Sequence, residues 1–358
     1  MALPRAALGA STQYMVTLST PRDTALHAAV ARAMLAPSVH NTQPWQFRLS
    51  SDGLDLFIDR SRQLAVLDPT GRQLCLSAGS ALLNARVSLA ASACPVSVRR
   101  FPDRDRPDLV ARIEASIGVA TDPVLAALDP VVELRQTNRR RFAADPVPAE
   151  LVATLVSAAA AEGAVLHPVV HNEDRQTLAR LSQRADAAQN VDAAYRAELR
   201  AWTSNDPTRL DGVRAAAVPH VDGTAGDDVP IRDFDSQGAG WLPSQTHSSA
   251  SQCLLVLATA ADTPQAWVQA GEALERVWLE ITRAGFVASL FTQVIEVAAL
   301  RAQLRDELRL GAHPHLVLRV GRAPVTAASM RRHIGDVLDD RTDQRRVSAP
   351  LGVAGSSP

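Results

Sequence analysis

Apolar residues recur at helical spacing at Leu26, Val30, Ala33 and Met34, behind Thr20-Pro21-Arg22-Asp23. Thr20 can cap that helix, Pro21 suits its first position and Asp23 completes a capping-box pattern. Pro37 ends it, because the residue before a proline avoids the helical region and proline has no N–H to donate. Residues 46–50 and 54–59 then read as strands around Asp52-Gly53, 74–93 as a long apolar helix, 96–101 and 109–113 as strands, and 123–135 as a helix. Pro148 opens a helix through Ala161, Gly163 stops it, and 165–170 is a strand. Residues 173–201 carry helical apolar positions at Leu178, Leu181, Ala185 and Tyr195. A buried strand at 254–259 leads to a helix at 266–284, with Leu274, Val277, Trp278 and Ile281 on one face and Gly285 as its stop. A helix at 297–310 and a strand at 315–320 follow. Between the 173–201 helix and the 254–259 strand, residues 203–249 have no periodicity and are rich in Gly, Pro, Asp and Ser, as lids and insertions are.

The pattern repeats. Ala78-Gly79-x-Ala81-Leu82 returns as Ala270-Gly271-x-Ala273-Leu274, 192 positions later, each time opening a long apolar helix that follows a strand. The helices beginning near Pro21 and Pro148 are offset by 127 positions, so the second copy carries about 65 extra residues, roughly those of the 173–202 helix and the 203–249 segment. The chain therefore reads as two related α+β halves, 19–120 and 121–345, between tails at 1–18 and 346–358 that look disordered.

Composition narrows the chemistry. The 358 residues carry a formal net charge of −1 and 46% hydrophobic residues, so no global field recruits nucleic acid or an anionic membrane. There is no lysine; all 37 basic residues are arginine. That excludes a Schiff-base lysine and a P-loop lysine, and any anion site must use arginine, backbone N–H groups or hydroxyls. Cys75, Cys94 and Cys253 have no C-x-x-C spacing and read as buried thiols of a reducing compartment. The first residues lack a signal-like apolar core, and no apolar run looks long enough to span a bilayer, which predicts a soluble, cytoplasmic protein. His313-Pro314-His315 lacks a third ligand, so no metal is expected. No nucleophile elbow appears, and no G-x-G-x-x-G follows a strand.

The most informative stretch is Pro37-Ser38-Val39-His40-Asn41-Thr42-Gln43-Pro44-Trp45-Gln46-Phe47. Ser38, Asn41 and Gln43 offer donors and acceptors on irregular backbone, anchored by Trp45 and Phe47, and suit a flat heteroaromatic ligand with a polar edge. This loop resembles the P-S-x-x-N-x-Q-P-W-x-F loop of the nitroreductase superfamily, and Arg135-x-Thr137-x-Arg139 resembles its R-x-[ST]-x-R phosphate motif. Gly321-Arg322-Ala323-Pro324 is similar to the family's G-Y-x-P, and Arg331-Arg332 to its terminal basic pair. The resemblance runs from about Asp23 to Leu338 and is closest to the Acg-like, double-length relatives.

The resemblance implies a nitroreductase-like α+β fold in which two halves form an intrachain pseudo-dimer, with FMN between them. The first half keeps the P-S loop and the second the arginine motif, so together they compose one complete site. Pro37, Ser38, Val39, Asn41 and Gln43 are the expected contacts to the ring, with Thr292 and Gln293 from the other half. Arg135, Thr137 and Arg139, closed by Arg331 or Arg332, are expected to grip the phosphate. No protein side chain is expected to be catalytic, since flavin N5 carries the chemistry. The implied activity is NAD(P)H-dependent hydride transfer to a nitroaromatic, quinone or similar small molecule. The alternative is a non-catalytic FMN carrier with the 203–249 segment closed over the ring. Either way the chain is expected to act as a monomer or weak homodimer, without nucleic acid or membrane.

Overall fold

Two sheets of matching topology flank a pair of long helices. In the computed structural model the described residues are 20–50, 53–116, 120–140, 142–214, 217, 218, 229, 232, 234, 252–326 and 328–340. The expected tails, the Asp52 side of the first turn and most of the 203–249 segment lie outside them.

Helix α1 (Pro21–Ala33) begins with the predicted box: Asp23 N–H donates to Thr20 Oγ1 and Thr20 N–H to Asp23 Oδ2, both at 3.1 Å. Strands β1 (Trp45–Ser50) and β2 (Gly53–Ile58), helix α2 (Arg72–Ala91), β3 (Val96–Arg100) and β4 (Leu109–Ala115) complete the first unit. The second has α4 (Ala149–Ala161), β5 (Val165–Pro168), β8 (Cys253–Thr259), α7 (Pro264–Arg283), β9 (Val287–Phe291) and β10 (His313–Gly321). Four strands of the first sheet run β1-β2-β4-β3 and the second sheet runs β5-β8-β10-β9, antiparallel within each set, so each of these strands has its counterpart in the same place. Helices α5 (Asn172–Val191) and α6 (Ala193–Ala201), with the short strands β6 (Thr203–Ser204) and β7 (Val213–Arg214), are inserted between β5 and β8, where the sequence predicts the extra chain.

The repeated glycines explain the helix pair. A Cβ added to Gly79 would stand 2.1 Å from the Val268 carbonyl oxygen, and one added to Gly271 would stand 2.0 Å from the Leu76 carbonyl oxygen. Each contact is the other shifted by 192 positions, as a two-fold relation between α2 and α7 requires. Only glycine lets the two backbones approach so closely. By length and composition α2 would qualify as a membrane span, against the expectation above. From Arg72 to Leu89, however, all its residues except Arg86 are buried inside the protein.

Three expectations change. The helix predicted at 123–135 is a single turn, α3 (Pro123–Ala126), followed by a 3₁₀ turn at Asp129–Val131. Pro130 supplies no N–H and disfavours helix before it. The 173–201 helix breaks at Asp192, whose side chain accepts from Ala194 N–H and Tyr195 N–H and caps α6. The 297–310 helix is preceded by the turn α8 (Gln293–Glu296) and is itself α9 (Ala298–Glu307). Four strands were not expected: the two-residue β6 and β7, β9 after α7, and β11 (Leu338–Asp340), which crosses to the first sheet and pairs parallel with β1 through Phe47 and Leu338.

Candidate functional site

The loop after α1 is strained and tightly held. His40, Asn41 and Gln43 all have left-handed backbone, with φ of 45°, 54° and 49°. Each such residue costs on the order of 1–3 kcal/mol unless its surroundings enforce it. Val39 N–H donates to Ser77 Oγ (3.2 Å), and Gln43 N–H to Ser38 Oγ (2.9 Å). Asn41 Nδ2 donates to the carbonyls of Gly212 (3.1 Å) and Met330 (3.2 Å). Gln43 Nε2 donates to Leu210 O (2.8 Å), and its Oε1 accepts from Arg332 N–H (2.8 Å). The insertion and the C-terminal arm thus clamp one loop from two sides.

That loop walls two adjoining cavities, which share Pro37, Ser38, Thr137 and Arg139. The first spans about 800 Å³, part of it open to solvent. Val39, His40, Leu76, Leu274 and Leu290 give it apolar and ring surfaces, and Gln73, Ser77, Ser80, Ser289 and Thr292 give it neutral polar groups. The second, about 780 Å³, is lined by Asn41, Arg135, Arg139, Arg214, residues 328–331 and Asp211. Asp211 is already paired with Arg62 and with Arg209 (2.6 Å). Arg139 and Arg232 add guanidinium groups to the first cavity, so both sides carry positive charge, with more arginines on the second.

The arginines differ in how they are held. Arg135 stacks 4.9 Å from the Trp278 ring centroid, donates to Leu35 O and lies 3.1 Å from Glu275. Burial pushes the Glu275 carboxyl up to about 7, with Arg135 opposing the rise. Arg331 donates to the carbonyls of Met34, Leu35 and Ala36, which closes the C-terminal end of α1, and to Asn41 Oδ1. Burial, with Arg135 close by, pulls it down to about 9. Arg139 lies over the Phe234 ring at 5.0 Å and has no carboxylate partner among the described residues. Burial, with Arg232 adding to it, pulls Arg139 down to about 10.

Of the twelve residues predicted from the sequence, Pro37, Ser38, Val39, Asn41, Arg135, Thr137, Arg139, Thr292 and Arg331 line one cavity or both. Gln43, Gln293 and Arg332 lie off the walls. Gln43 is a clamp, Gln293 is buried with Nε2 3.2 Å from Asp186, and Arg332 donates to Gln43 O and Asp336 O. The sequence did not single out Arg232 or Phe234, both of which line the first cavity. Arg232 donates to Tyr195 Oη, to Thr292 Oγ1 (2.9 Å) and to Glu296 (2.5 Å). Burial opposes its charge, but Glu296 and Tyr195 outweigh that and hold it firmly protonated. His40, in the middle of the loop, is buried in the wall.

The duplicated position is different. Ser80 faces the first cavity; its counterpart 192 positions on is Glu272, fully buried and bound by Arg86 (2.7 Å) and Arg100 (2.6 Å). Arg86 also meets Glu162 (2.5 Å), which meets Arg276 (2.7 Å). An ion-pair network stands there in place of a hydroxyl facing open space.

No family model matches the chain. A Mycobacterium tuberculosis protein with the provisional name NAD(P)H nitroreductase is 34% identical over 333 residues, 89% of this chain and 92% of its own. The acg protein of the same organism, provisionally named likewise, is 30% identical over 331 residues, 90% of this chain and 97% of its own. Among solved structures, a nitroreductase with bound FMN from Desulfitobacterium hafniense overlaps 59% of this chain and 96% of its own, with 13% identity and a TM-score of 0.39. A nitroreductase with bound FMN from Bacteroides fragilis overlaps 60% of this chain and 100% of its own, with 14% identity and a TM-score of 0.33.

Proposed function

Because the chain belongs to the nitroreductase family, in its double-length Acg-like branch, we propose that it binds FMN across the paired cavities and serves as an NAD(P)H-dependent oxidoreductase. The acceptor we infer is a small nitroaromatic, a quinone or a similar molecule. The observation that carries this reading is the division of the site: a cavity with apolar faces, neutral polar groups and the guanidinium groups of Arg139 and Arg232 adjoins one lined by Arg135, Arg139, Arg214 and Arg331, and the same four residues wall both. A flat ring joined through a polar chain to a phosphate dianion fits that division, and the charge of Arg139, unmatched among the described residues, is what such an anion would satisfy.

Bound FMN would supply hydride uptake from NAD(P)H and hydride delivery to the acceptor. The residues do the rest. Arg135, Thr137 and Arg139 would hold the phosphate, with Arg331 adding its charge from behind the α1 carbonyls. Arg139, common to both cavities, would also answer negative charge that develops on the ring side. Ser38, Asn41 and Thr292 would orient polar edges. An NAD(P)H-dependent reaction and three free thiols suit the reducing cytoplasm.

One observation favours a second reading, a flavin carrier. Arg232 and Phe234, from the inserted segment, sit in the ring-side cavity, and Arg232 is fastened there by Glu296, Thr292 and Tyr195. Such a cover would leave FMN affinity intact and block the nicotinamide. The test is absorbance of the FMN-loaded protein under anaerobic NADPH or NADH. Bleaching within seconds supports the reductase, and flavin that stays oxidised supports the carrier.

A further inference from the structure

We propose that His40 is the proton carrier of this site: it takes up a proton when negative charge settles beside Arg139, and gives that proton to the oxygen of the electron acceptor. The inference rests on the flavin reading above and goes beyond it at one residue. His40 is 7% exposed and its backbone is left-handed, at φ 45°. Both ring nitrogens are buried, and neither has a hydrogen-bond partner among the described residues. Leaving such groups unpaired in the interior is unfavourable, and the strained backbone adds to that. A ligand reaching the cavity wall is what can supply the missing partner.

The charges around the imidazole are arranged to respond. Among the described residues, Arg139 and Arg232 are the charged side chains of the cavity wall; Gln73 and Ser77 from α2 and Thr292 after β9 are neutral, and the Phe234 ring meets His40 edge-on at 5.4 Å. Among the described residues, no carboxylate lines this cavity. Burial first, and then the two guanidinium groups, hold His40 neutral, well below its ordinary range. The charge of Arg232 is matched by Glu296, and Arg139 has no carboxylate partner among the described residues, so an anion beside Arg139 removes that guanidinium's share of the opposing field and favours the protonated imidazole.

For a quinone acceptor the step balances simply. Hydride, whose two electrons come from NAD(P)H, and one proton convert the quinone to the hydroquinone. The imidazolium N–H bond breaks and its electron pair stays on nitrogen, an O–H bond forms on the acceptor, and solvent restores the proton in the next cycle.

The test is calorimetry of FMN binding to the full-length apoprotein at pH 7 in two buffers of different ionisation enthalpy, which counts protons taken up. It is run for the wild type and for His40→Asn, a residue that tolerates left-handed backbone, with His40→Gln in reserve should that variant fold poorly. The proposal expects the wild type to take up a fraction of a proton that the variant does not, with the difference approaching one as pH falls. The FMN phosphate titrates identically in both and cancels. A wild type that binds FMN without proton uptake, or with uptake equal to the variant's, overturns the role of His40 and leaves the flavin reading standing. FMN bound by neither protein overturns both.

Discussion

Replacing Arg139 by alanine should weaken FMN binding and yet not destabilise the apoprotein. Burial pulls this guanidinium from 12.5 down to about 10, which corresponds to a cost of about 3 kcal/mol for keeping its charge there. Water entering from the cavity mouth reduces that figure, and the lost contact with Phe234 takes back about 0.5–2 kcal/mol. The apoprotein should therefore gain between nothing and about 2 kcal/mol on substitution. The holoprotein loses a charge-assisted hydrogen bond worth about 1.5–3 kcal/mol, so the Kd for FMN should rise about 10- to 150-fold. Flavin fluorescence quenching reads the second quantity and urea denaturation of the apoprotein the first. An apoprotein destabilised by more than about 2 kcal/mol with unchanged FMN affinity would show that Arg139 is a structural strut, and the phosphate assignment would fall.

Gly271→Ala places a methyl group against the Leu76 carbonyl and should cost at least about 1–3 kcal/mol; thermal denaturation within 1 °C of wild type would contradict the close helix pair. Arg135→Ala should be far more damaging to the fold than Arg139→Ala, by about 3–5 kcal/mol, because it strands the buried Glu275. Equal denaturation midpoints for the two variants would refute that distinction. Glu275 is raised in the folded state, so its contribution favours folding most at low pH and is lost as pH rises through about 7. The stability of wild type relative to Glu275→Gln should accordingly fall by up to about 3 kcal/mol between pH 4.5 and 8, and a difference that stays flat with pH would exclude this account. Glu296→Gln removes the charge that fastens Arg232 and should speed reduction by NADPH if Arg232 covers the nicotinamide site; an unchanged rate would count against the cover.

Much of this arrangement was legible in the chain because it is local. Thr20, Pro21 and Asp23 announce a helix start, Pro37 and Pro44 bracket an irregular loop, and Gly163 and Gly285 stop helices with φ of 75° and 74°. The duplication was legible because both copies of the Ala-Gly-x-Ala-Leu pattern face the same packing demand, one seen at Gly79 and the other at Gly271. What escaped depends on distant partners. Glu272 and Glu275 lie on the buried face of α7 only because Arg86, Arg100 and Arg135 reach them from elsewhere in the chain. Strand β11 is three residues long and exists because β1 offers an edge. The side chain of His40 is turned inward by a left-handed backbone that no periodicity encodes. Gln43 and Arg332 were read as ligand contacts because polar side chains in a loop suit that role equally well. In the folded chain they bond each other.

The most direct measurement is a pair of titrations of the apoprotein, one with FMN and one with riboflavin. A ring-side cavity joined to an arginine-lined one predicts that FMN binds and that riboflavin, lacking the phosphate, binds at least 100-fold more weakly, as the loss of about 3 kcal/mol of charge-assisted contact requires. Equal affinity for the two, or no binding of either, would contradict the account.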